Sequence, residues 1–256
     1  MRIGFIGTGA ITQAVVTGML DFDVAFERIA LSPRNAQIAE KLAQQDARVR
    51  VCESNQVVLD SSDVICLAVV PQIAGDVLSE LNFDARHHVI SFIAGKSLDQ
   101  IRTLVRKAAK VVRAVPLPAV AVGKGSTAIC PPDDVSKALF SPLGEAVEVR
   151  DEHQFDALSA VTATMASFFA LLEEQAAWLV RQGLPYASAR SFLSGYYVGL
   201  AHDTTVDAEP FSAMIGHVST PGGLNEQLNR ELYERGTYAH LSEALDRIMQ
   251  RVQGRG

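Results

Sequence analysis

Short apolar runs alternate with helical stretches through the first 150 residues of the chain. Asp63–Val70 is apolar on both faces, as expected of a parallel strand buried inside a sheet. Alternating strands and helices predict right-handed βαβ units in a doubly wound sheet. The predicted strands are Ile3–Ile6, Arg28–Leu31, Arg48–Val51, Asp63–Val70, His88–Ile93 and Lys110–Val115, with edge strands at Val122–Ile129 and Ala146–Val149.

The second half of the chain has a helical pattern throughout. From His153 to Gln182 apolar residues recur at spacings of three and four, which predicts one long helix. Gly183 is predicted to end this helix and Pro185 to begin the next. Further helices are predicted at Asp207–His217, Thr220–Arg235 and Thr237–Gln253. The expected fold is therefore α/β, with a doubly wound domain over residues 1–150 and an all-helical domain over residues 151–256.

The charge of the chain is unevenly distributed. The net charge is −6, yet only 7 of the 23 basic residues lie after Arg150, against 13 of the 29 acidic residues. None of those seven is lysine. The net charge therefore belongs to the helical half, and no basic stripe is available for nucleic acid or an anionic membrane surface.

Cysteine usage and the start of the chain favour a cytoplasmic protein. Cys52, Cys66 and Cys130 are widely spaced and odd in number, which predicts three reduced thiols. No uninterrupted apolar run approaches the ~18 residues of a membrane span. The chain opens directly on a predicted strand, so no signal peptide is expected. The six histidines are scattered and predict no metal site.

The segment Gly7-Thr8-Gly9-Ala10-Ile11-Thr12 follows the first strand and opens the first helix, where a Rossmann loop belongs. Gly7 permits a tight turn, and Gly9 lets the backbone approach a pyrophosphate that the helix N-terminus stabilises. Thr12 stands where a third glycine normally serves helix packing, so we expect the helix to be pushed slightly outward. At the start of a βαβ pattern this loop predicts dinucleotide binding.

The second strand ends in Leu31-Ser32-Pro33-Arg34-Asn35. A site specific for NAD(H) carries Asp or Glu here to bind the ribose 2′-hydroxyl group. The Ser32 hydroxyl and the Arg34 guanidinium suit a 2′-phosphate instead. The sequence therefore favours NADP(H), with NAD(H) as the alternative.

A second glycine-rich segment lies near the chain's end. Ser219 or Thr220 can cap a helix, and Pro221 suits its first turn. Gly222 and Gly223 would then leave backbone N–H groups uncovered at a helix N-terminus, which attracts a carboxylate. The expected ligand is a small molecule that carries this group.

Three sets of segments together resemble the pyrroline-5-carboxylate reductase family. The first set is Ile3–Ala14, and the third and most specific is His217–Gln227 followed by Leu232…Arg235-Gly236. The second set comprises Ala68-Val69-Val70-Pro71, Ser91-Phe92-Ile93-Ala94-Gly95 with Leu98-Asp99-Gln100, and Arg113-Ala114-Val115-Pro116. Their order and spacing match the family across nearly the whole chain, which resembles a divergent member.

The resemblance implies a Rossmann domain followed by a helical domain that pairs two copies as a homodimer or a higher homo-oligomer. It implies NADPH-dependent hydride transfer to the C=N carbon of a cyclic imine, 1-pyrroline-5-carboxylate foremost, giving proline. The implied cofactor-binding residues are Gly7, Thr8, Gly9, Ala10, Ile11, Ser32, Arg34, Asn35, Asn55, Ala68, Val69, Pro71, Ala94 and Gly95. The implied substrate-binding residues are Thr220, Gly222, Gly223, Leu224 and Asn225.

The chemistry of imine reduction asks little of the protein, because a protonated C=N group is already electrophilic. Thr164 and Thr220 are candidate catalytic hydroxyls for the nitrogen's proton, and Asn225 is a candidate hydrogen-bond donor to the substrate. The segment matching Val161–Phe168 is implied to line the substrate site opposite the nicotinamide.

Departures from the family keep other functions open. Leu224-Asn225 stands where the family has Thr–Thr or Ala–Thr, and Thr162–Phe168 stands where it has Ser-Gly-Ser-Ser-Pro-Ala-Tyr. Reduction of another cyclic imine or a ketimine therefore stays open, as does a non-catalytic NADP-binding protein. A β-hydroxyacid dehydrogenase needs a catalytic lysine in its helical domain, and the lysine-free second half lacks that residue type.

Overall fold

The computed structural model describes residues 1–255, which form two compact units. The first unit comprises residues 1–159 together with residues 249–255, and the second comprises Ala160–Ile248. The first unit extends to Ser159, because the helix Glu152–Val161 packs on the sheet through Phe155, which is only 2% exposed.

The first unit is built on one sheet of eight strands in the order β3-β2-β1-β4-β5-β6-β7-β8. All neighbouring strands are parallel except β6 and β7, which are antiparallel. The first six strands thus have the doubly wound Rossmann order, as predicted. The strands are β1 Arg2–Ile6, β2 Arg28–Leu31, β3 Val49–Val51, β4 Val64–Leu67, β5 His88–Ser91, β6 Lys110–Val115, β7 Gly125–Cys130 and β8 Gly144–Glu148.

Helices cover both faces of this sheet. Neighbouring residues of β1 serve opposite faces, since Phe5 belongs to one buried apolar cluster and Ile6 to the other. The helices are α1 Ala10–Asp21, α2 Ala36–Ala43, α3 Asn55–Asp60, α4 Ala74–Ser79, α5 Leu98–Val105, α6 Asp134–Phe140 and α7 Glu152–Val161, with 3-10 turns at Pro118–Val122 and Ser141–Leu143. The short helices α3 and α6 were not predicted.

The helices that follow are α8 Thr164–Arg181, α9 Tyr186–Val206, α10 Phe211–Val218, α11 Leu224–Glu234 and α12 Thr237–Val252. The prediction of one helix from His153 to Gln182 is wrong, because the chain turns at Thr162 and Ala163. There the hydrogen bonds tighten to i→i+3 spacing, from Ala163 N–H to Ala160 O and from Met165 N–H to Thr162 O. Hydroxyl side chains at such positions compete with the helical bonding pattern.

The second unit buries little of its apolar surface. Ala176, Ala189 and Leu193 form a small buried cluster between α8 and α9. Many large apolar side chains are more than half exposed: Phe169, Trp178, Phe192, Val198, Val206, Phe211, Val218, Leu224, Leu228 and Tyr233. So much exposed apolar surface marks an interaction face.

One stretch, Glu152–Arg181, is long and apolar enough to cross a membrane when only length and composition are considered. Its average hydropathy is high, although polar residues interrupt it and it contains no uninterrupted apolar run of about 18 residues. The stretch is divided by the turn after α7. An apolar helix of a helical bundle passes the same test, so this finding alone does not indicate a membrane protein.

Candidate active site

The loop between β1 and α1 approaches the end of β4 closely. Gly7 has φ +102°, and a Cβ atom there would lie 2.5 Å from the carbonyl oxygen of Ala68. Only glycine fits this conformation and this distance. The loop is therefore held against β4 at the point where the order of strands reverses, which is where ligands bind in doubly wound sheets.

Ser32 holds the same loop from the side of β2. Its hydroxyl oxygen accepts a hydrogen bond from the Gly7 N–H at 2.9 Å, while the Thr8 hydroxyl donates to the Ser32 carbonyl at 2.8 Å. Because the single Thr8 proton is used there, the Ser32 hydroxyl donates in the 3.1 Å contact between the two side chains. Ser32 is only 1% exposed. The expectation that its hydroxyl faces a 2′-phosphate is therefore corrected: Ser32 positions the glycine loop.

Thr12 also secures the loop. Its hydroxyl donates to the Gly7 carbonyl at 2.7 Å, and the side chain is fully buried. Further along α1, Gly18 packs closely on the 3-10 turn Pro118–Val122, since a Cβ there would lie 2.3 Å from the Val120 carbonyl oxygen. Thr12 therefore makes a hydrogen bond at the position where a glycine would make a packing contact. The close approach of α1 to the 3-10 turn occurs at Gly18.

A cavity of about 460 Å³ opens over this loop. A Cβ atom on Gly9 would meet no atom within 4 Å, so a side chain there would project into open space. A diphosphate at this place would face the backbone at the start of α1, so the residues present fit a dinucleotide. The lining residues are Gly7, Thr8, Gly9, Arg34, Asn35, Ala36, Ala68, Val69, Val70 and Ile73.

Arg34 and Asn35 lie at the start of α2, where the strand β2 has just ended. Arg34 is exposed, and no ion-pair partner is found for it among residues 1–255. With Ser32 turned inward, Arg34 is the cation of the lining that suits a 2′-phosphate.

Of the other residues expected to bind the cofactor, some lie beside the cavity and others lie outside its lining. Ala10 and Ile11 begin α1 beside the cavity, and Pro71 follows Val70 at its wall. Asn55 begins α3 and, with Ala94 and Gly95, lies outside the lining. Conversely, the lining includes Ala36 and Ile73, which the sequence analysis did not assign, and Val70, which lies inside the matching segment Ala68–Pro71. For Ala36 the available signal was its adjacency to Asn35, and Ile73 had none.

Gly95 lines a different cavity, of about 580 Å³, together with Arg113 and residues of α7. Arg113 is buried, and its Nη1 donates to Glu152 at 2.8 Å and to Asp156 at 3.0 Å. Its guanidinium also lies 4.3 Å from the centre of the Phe155 ring. These contacts fasten α7 to β6, a role that sequence analysis did not assign.

The amino ends of β5 and β6, on the opposite edge from the cofactor cavity, carry a second buried charge cluster. The Asp133 carboxylate lies 3.0 Å from His88 Nε2 and contacts the Lys110 ammonium group. Burial alone would raise the pKa of Asp133, but hydrogen bonds from His88, Lys110 and Ser136 hold that pKa well below its usual range. Asp133 also caps α6 through the Ser136 N–H, so this cluster is structural.

The second glycine-rich segment connects α10 to α11. Thr220 does not cap a helix as predicted, because α11 begins at Leu224 with Gly223 as its N-cap. Gly222 has φ +73°, and Gly223 donates to the Thr220 carbonyl at 2.8 Å. Thr220-Pro221-Gly222 therefore form a turn before the helix, since a residue with positive φ cannot continue into a first helical turn.

Polar groups of this loop are bonded within the second unit. The Gly222 N–H donates to Glu226 Oε2 at 2.6 Å, and the Asn225 amide donates to the Val218 carbonyl at 2.9 Å. Leu224 is 86% exposed and offers no polar side-chain group. Thr164, at the start of α8, donates its hydroxyl proton to the Val161 carbonyl at 2.7 Å. These residues all lie in the second unit.

Asp207, Glu209 and His217 bring three possible metal-ligand atoms within 4.8 Å of one another. All three are exposed, and His217 Nε2 lies 3.5 Å from Glu209 as an ion pair when protonated. Sequence analysis predicted no such group, because the loop before α10 brings together residues that are apart in the chain.

The fold and the cofactor cavity define a class, the NAD(P)H-dependent oxidoreductases with a Rossmann domain. Residues 2–95 match the family described as NADP oxidoreductase, coenzyme F420-dependent. Residues 152–254 match the family described as pyrroline-5-carboxylate reductase dimerisation.

Proteins that are similar to this chain over its full length identify its family within this class. The chain is 31% identical to a pyrroline-5-carboxylate reductase of Synechocystis sp., covering 100% of this chain and 98% of that protein. It is 29% identical to that of Escherichia coli, covering 98% and 97%. The chain belongs to the pyrroline-5-carboxylate reductase family.

Solved structures share the fold. A pyrroline-5-carboxylate reductase from Coxiella burnetii has a TM-score of 0.86 at 22% identity, covering 99% of this chain and 98% of that one. A reductive aminase from Aspergillus terreus, in complex with NADPH, has a TM-score of 0.62 at 14% identity, covering 99% and 91%. The same fold thus occurs in proteins named for different imine chemistry.

Proposed function

We propose that this protein uses NADPH to reduce the C=N bond of a cyclic imine. The observation that carries the proposal is the cavity over Gly9, lined by Arg34, for which the described residues 1–255 offer no ion-pair partner. Full-length relatives named for 1-pyrroline-5-carboxylate make that compound the reference substrate. Its reduction would give proline.

When bound, the nicotinamide supplies the hydride, which adds to the imine carbon while the C=N π electrons move to the protonated nitrogen. The chain's task is to bind and orient the substrate and to exclude water. We propose that the hydroxyl group of Thr164 or Thr220 donates the proton to the imine nitrogen. We propose Asn225 as a hydrogen-bond donor to the substrate. The loop from Thr220 to Asn225 is proposed to contact the imine.

Cofactor preference can be tested with two substitutions at the end of β2. Arg34→Ala should weaken NADPH binding about tenfold or more and NADH binding less than about twofold, since only NADPH carries the phosphate for this charge-assisted bond. Ser32→Ala is the matched control. Because the Ser32 hydroxyl holds the Gly7 N–H, its loss should weaken both cofactors alike. Equal losses in Arg34→Ala would refute the assignment of the 2′-phosphate.

The reaction itself is tested by following NADPH oxidation at 340 nm with 1-pyrroline-5-carboxylate and with 1-pyrroline, the same ring without the carboxylate. Turnover of either imine supports the proposal. Tight NADPH binding without turnover of any imine would favour the alternative, a non-catalytic NADP-binding protein.

We also propose a homodimer formed through the exposed apolar side chains of the second unit. Burying this face against a second copy would keep its apolar side chains from water. Light scattering should give twice the mass of one chain. Phe192→Glu should shift the protein toward monomers, whereas Arg50→Glu on the Rossmann unit should not. A wild-type monomer would contradict the proposal.

A further inference from the structure

The cavity of about 580 Å³ beside Gly95 is a second place where this protein could hold a small molecule. Its lining residues all belong to the first unit, and none of them lines the cofactor cavity. With histidine counted as neutral, three cations against two carboxylates leave the lining a net charge of +1. These charged residues are Lys96, Arg113, Arg255, Glu152 and Asp156. The lining therefore suits a polar ligand with one negative charge in excess.

Arg113 brings a buried guanidinium group with an unused edge to this cavity. The side chain is 4% exposed, and its ion pairs to Glu152 and Asp156 both leave from Nη1. Its buried Nε has no hydrogen-bond partner among residues 1–255, and no bond from Nη2 is found there either. Elsewhere in the chain, Arg2 binds the Asp63 carboxylate through this same pair of atoms, Nε at 2.8 Å and Nη2 at 2.5 Å. Because an unpaired buried donor is costly, we expect the Nε–Nη2 edge of Arg113 to bind a ligand carboxylate.

The two carboxylates beside Arg113 each keep one oxygen unused. Glu152 Oε1 accepts the Leu98 N–H at 2.7 Å as well as Arg113 Nη1, and Asp156 binds Arg113 through Oδ1. In the described part of the chain, neither Glu152 Oε2 nor Asp156 Oδ2 accepts a hydrogen bond, and both side chains are partly exposed. One guanidinium group compensates only one of these two charges. An ammonium group, which donates three hydrogen bonds, would compensate the other.

Lys96 and Arg255 supply the remaining cations of the lining. Neither has an ion-pair partner among residues 1–255, whereas Arg113 is paired twice. Two unpaired cations on one cavity suit a second carboxylate on the same ligand. A molecule with two carboxylates and one ammonium group carries a net charge of −1, which complements the +1 of the lining.

We propose that this cavity binds a free acidic α-amino acid, of the class of L-glutamate and L-aspartate. One carboxylate binds the Nε–Nη2 edge of Arg113, and the ammonium group binds the unused oxygens of Glu152 and Asp156. The other carboxylate binds Lys96 and Arg255. This site is distinct from the cofactor cavity, and the inference goes beyond the proposed imine reduction.

Isothermal titration calorimetry with L-glutamate at low ionic strength tests the site. L-Glutamate should bind at one site per chain. Glutarate lacks the ammonium group and L-glutamine lacks the second carboxylate, so each should bind about tenfold or more weakly. Absence of saturable L-glutamate binding, or equal affinities for the three compounds, would overturn the inference. Because neither NADPH nor an imine is added, the result does not depend on the proposed reaction.

Substitutions locate the binding. Lys96→Met removes one cation of the lining and should weaken L-glutamate about tenfold or more. Lys107→Met is the matched control, because Lys107 is exposed and lies outside this lining. Arg34→Ala tests whether L-glutamate binds in the cofactor cavity instead, and both of these variants should keep the wild-type affinity. Wild-type affinity in Lys96→Met, or a loss confined to Arg34→Ala, would contradict the proposal.

The role of the Arg113 edge has its own variant. Arg113→Lys keeps the positive charge but removes the paired Nε and Nη2 donors, so L-glutamate should bind about tenfold or more weakly. Unchanged affinity in a folded Arg113→Lys protein would refute the proposed contact. Circular dichroism checks the fold, and if this variant does not fold, the comparison of Lys96→Met with Lys107→Met decides the proposal.

Discussion

Gly7 and Gly9 belong to one loop, yet alanine should affect them in opposite ways. At Gly7 a Cβ atom would lie 2.5 Å from the Ala68 carbonyl oxygen, far inside ordinary contact, and φ is +102°. At Gly9 φ is −101°, which any residue adopts, and a Cβ would meet no atom within 4 Å. We therefore expect Gly7→Ala to damage the fold and Gly9→Ala to damage only cofactor binding.

The magnitudes follow from these geometries. For Gly7→Ala the backbone strain and the forced separation of β1 from β4 together cost about 4 kcal/mol. In a chain of this size that lowers Tm by about 8–16 °C. For Gly9→Ala stability should rise slightly, by about 0.4–1 kcal/mol, because alanine restricts the unfolded chain. Its methyl group would hold the diphosphate away from the start of α1, and losing one charge-assisted hydrogen bond weakens NADPH about tenfold or more.

Thermal unfolding followed by circular dichroism measures the first effect, and fluorescence titration with NADPH measures the second. Gly75→Ala is a suitable control, since a Cβ there would also meet no atom within 4 Å and Gly75 does not line the cofactor cavity. If Gly9→Ala binds NADPH as tightly as the wild type, the diphosphate does not lie over this loop. If Gly7→Ala unfolds at the wild-type temperature, the close approach to β4 is not essential.

Three further predictions concern buried titratable groups. Asp133→Asn should lower the free energy of unfolding by about 1–3 kcal/mol in urea titrations, because the buried carboxylate accepts hydrogen bonds from the Ser136 N–H and hydroxyl that an amide can replace only in part; an unchanged free energy of unfolding would contradict this reasoning. Burial lowers the pKa of His87, so the unfolded chain takes up its proton at a higher pH than the folded one. Stability should therefore fall as pH drops below about 6.5, and His87→Gln should flatten this dependence, whereas an unchanged slope would refute it. Burial also raises the pKa of the Cys66 thiol above its usual range, so in native protein iodoacetamide should modify the half-buried Cys52 first. Equal rates at both cysteines, read by peptide mass spectrometry, would contradict that order.

Two residues at the end of β2, Ser32 and Arg34, have different roles although both belong to types that bind phosphate. Both Ser32 and Arg34 were predicted to contact a 2′-phosphate because hydroxyl and guanidinium groups bind phosphates. Ser32 ends β2 facing the β1–α1 loop, and its hydroxyl is used by Gly7 and Thr8. Two residues later the chain has left the sheet, and Arg34 is exposed. A difference of two positions therefore separates a positioning residue from a candidate ligand.

The Rossmann unit could be predicted from the sequence because its signals are local. Apolar runs marked all eight strands to within a few residues, and the glycines between β1 and α1 marked the loop that a tight turn requires. The lysine-free second half set aside a β-hydroxyacid dehydrogenase, and the segment from His217 to Gln227 carried the resemblance to the family. Periodicity and backbone requirements are properties of neighbouring residues, which a sequence displays directly.

Other features depend on partners that the sequence does not pair. Ser32 meets a loop 25 positions earlier, and Arg113 meets carboxylates 39 and 43 positions later. The turn that divides α7 from α8 and the return of Glu226 to Gly222 are local in the chain, yet they depend on which of several available hydrogen bonds forms. The sequence by itself determined the eight strands and their order along the chain, and it carried the resemblance to the family. Only the tertiary structure decided which polar groups are already used and which remain for a ligand, because hydrogen-bond partners are chosen by distance in the folded chain.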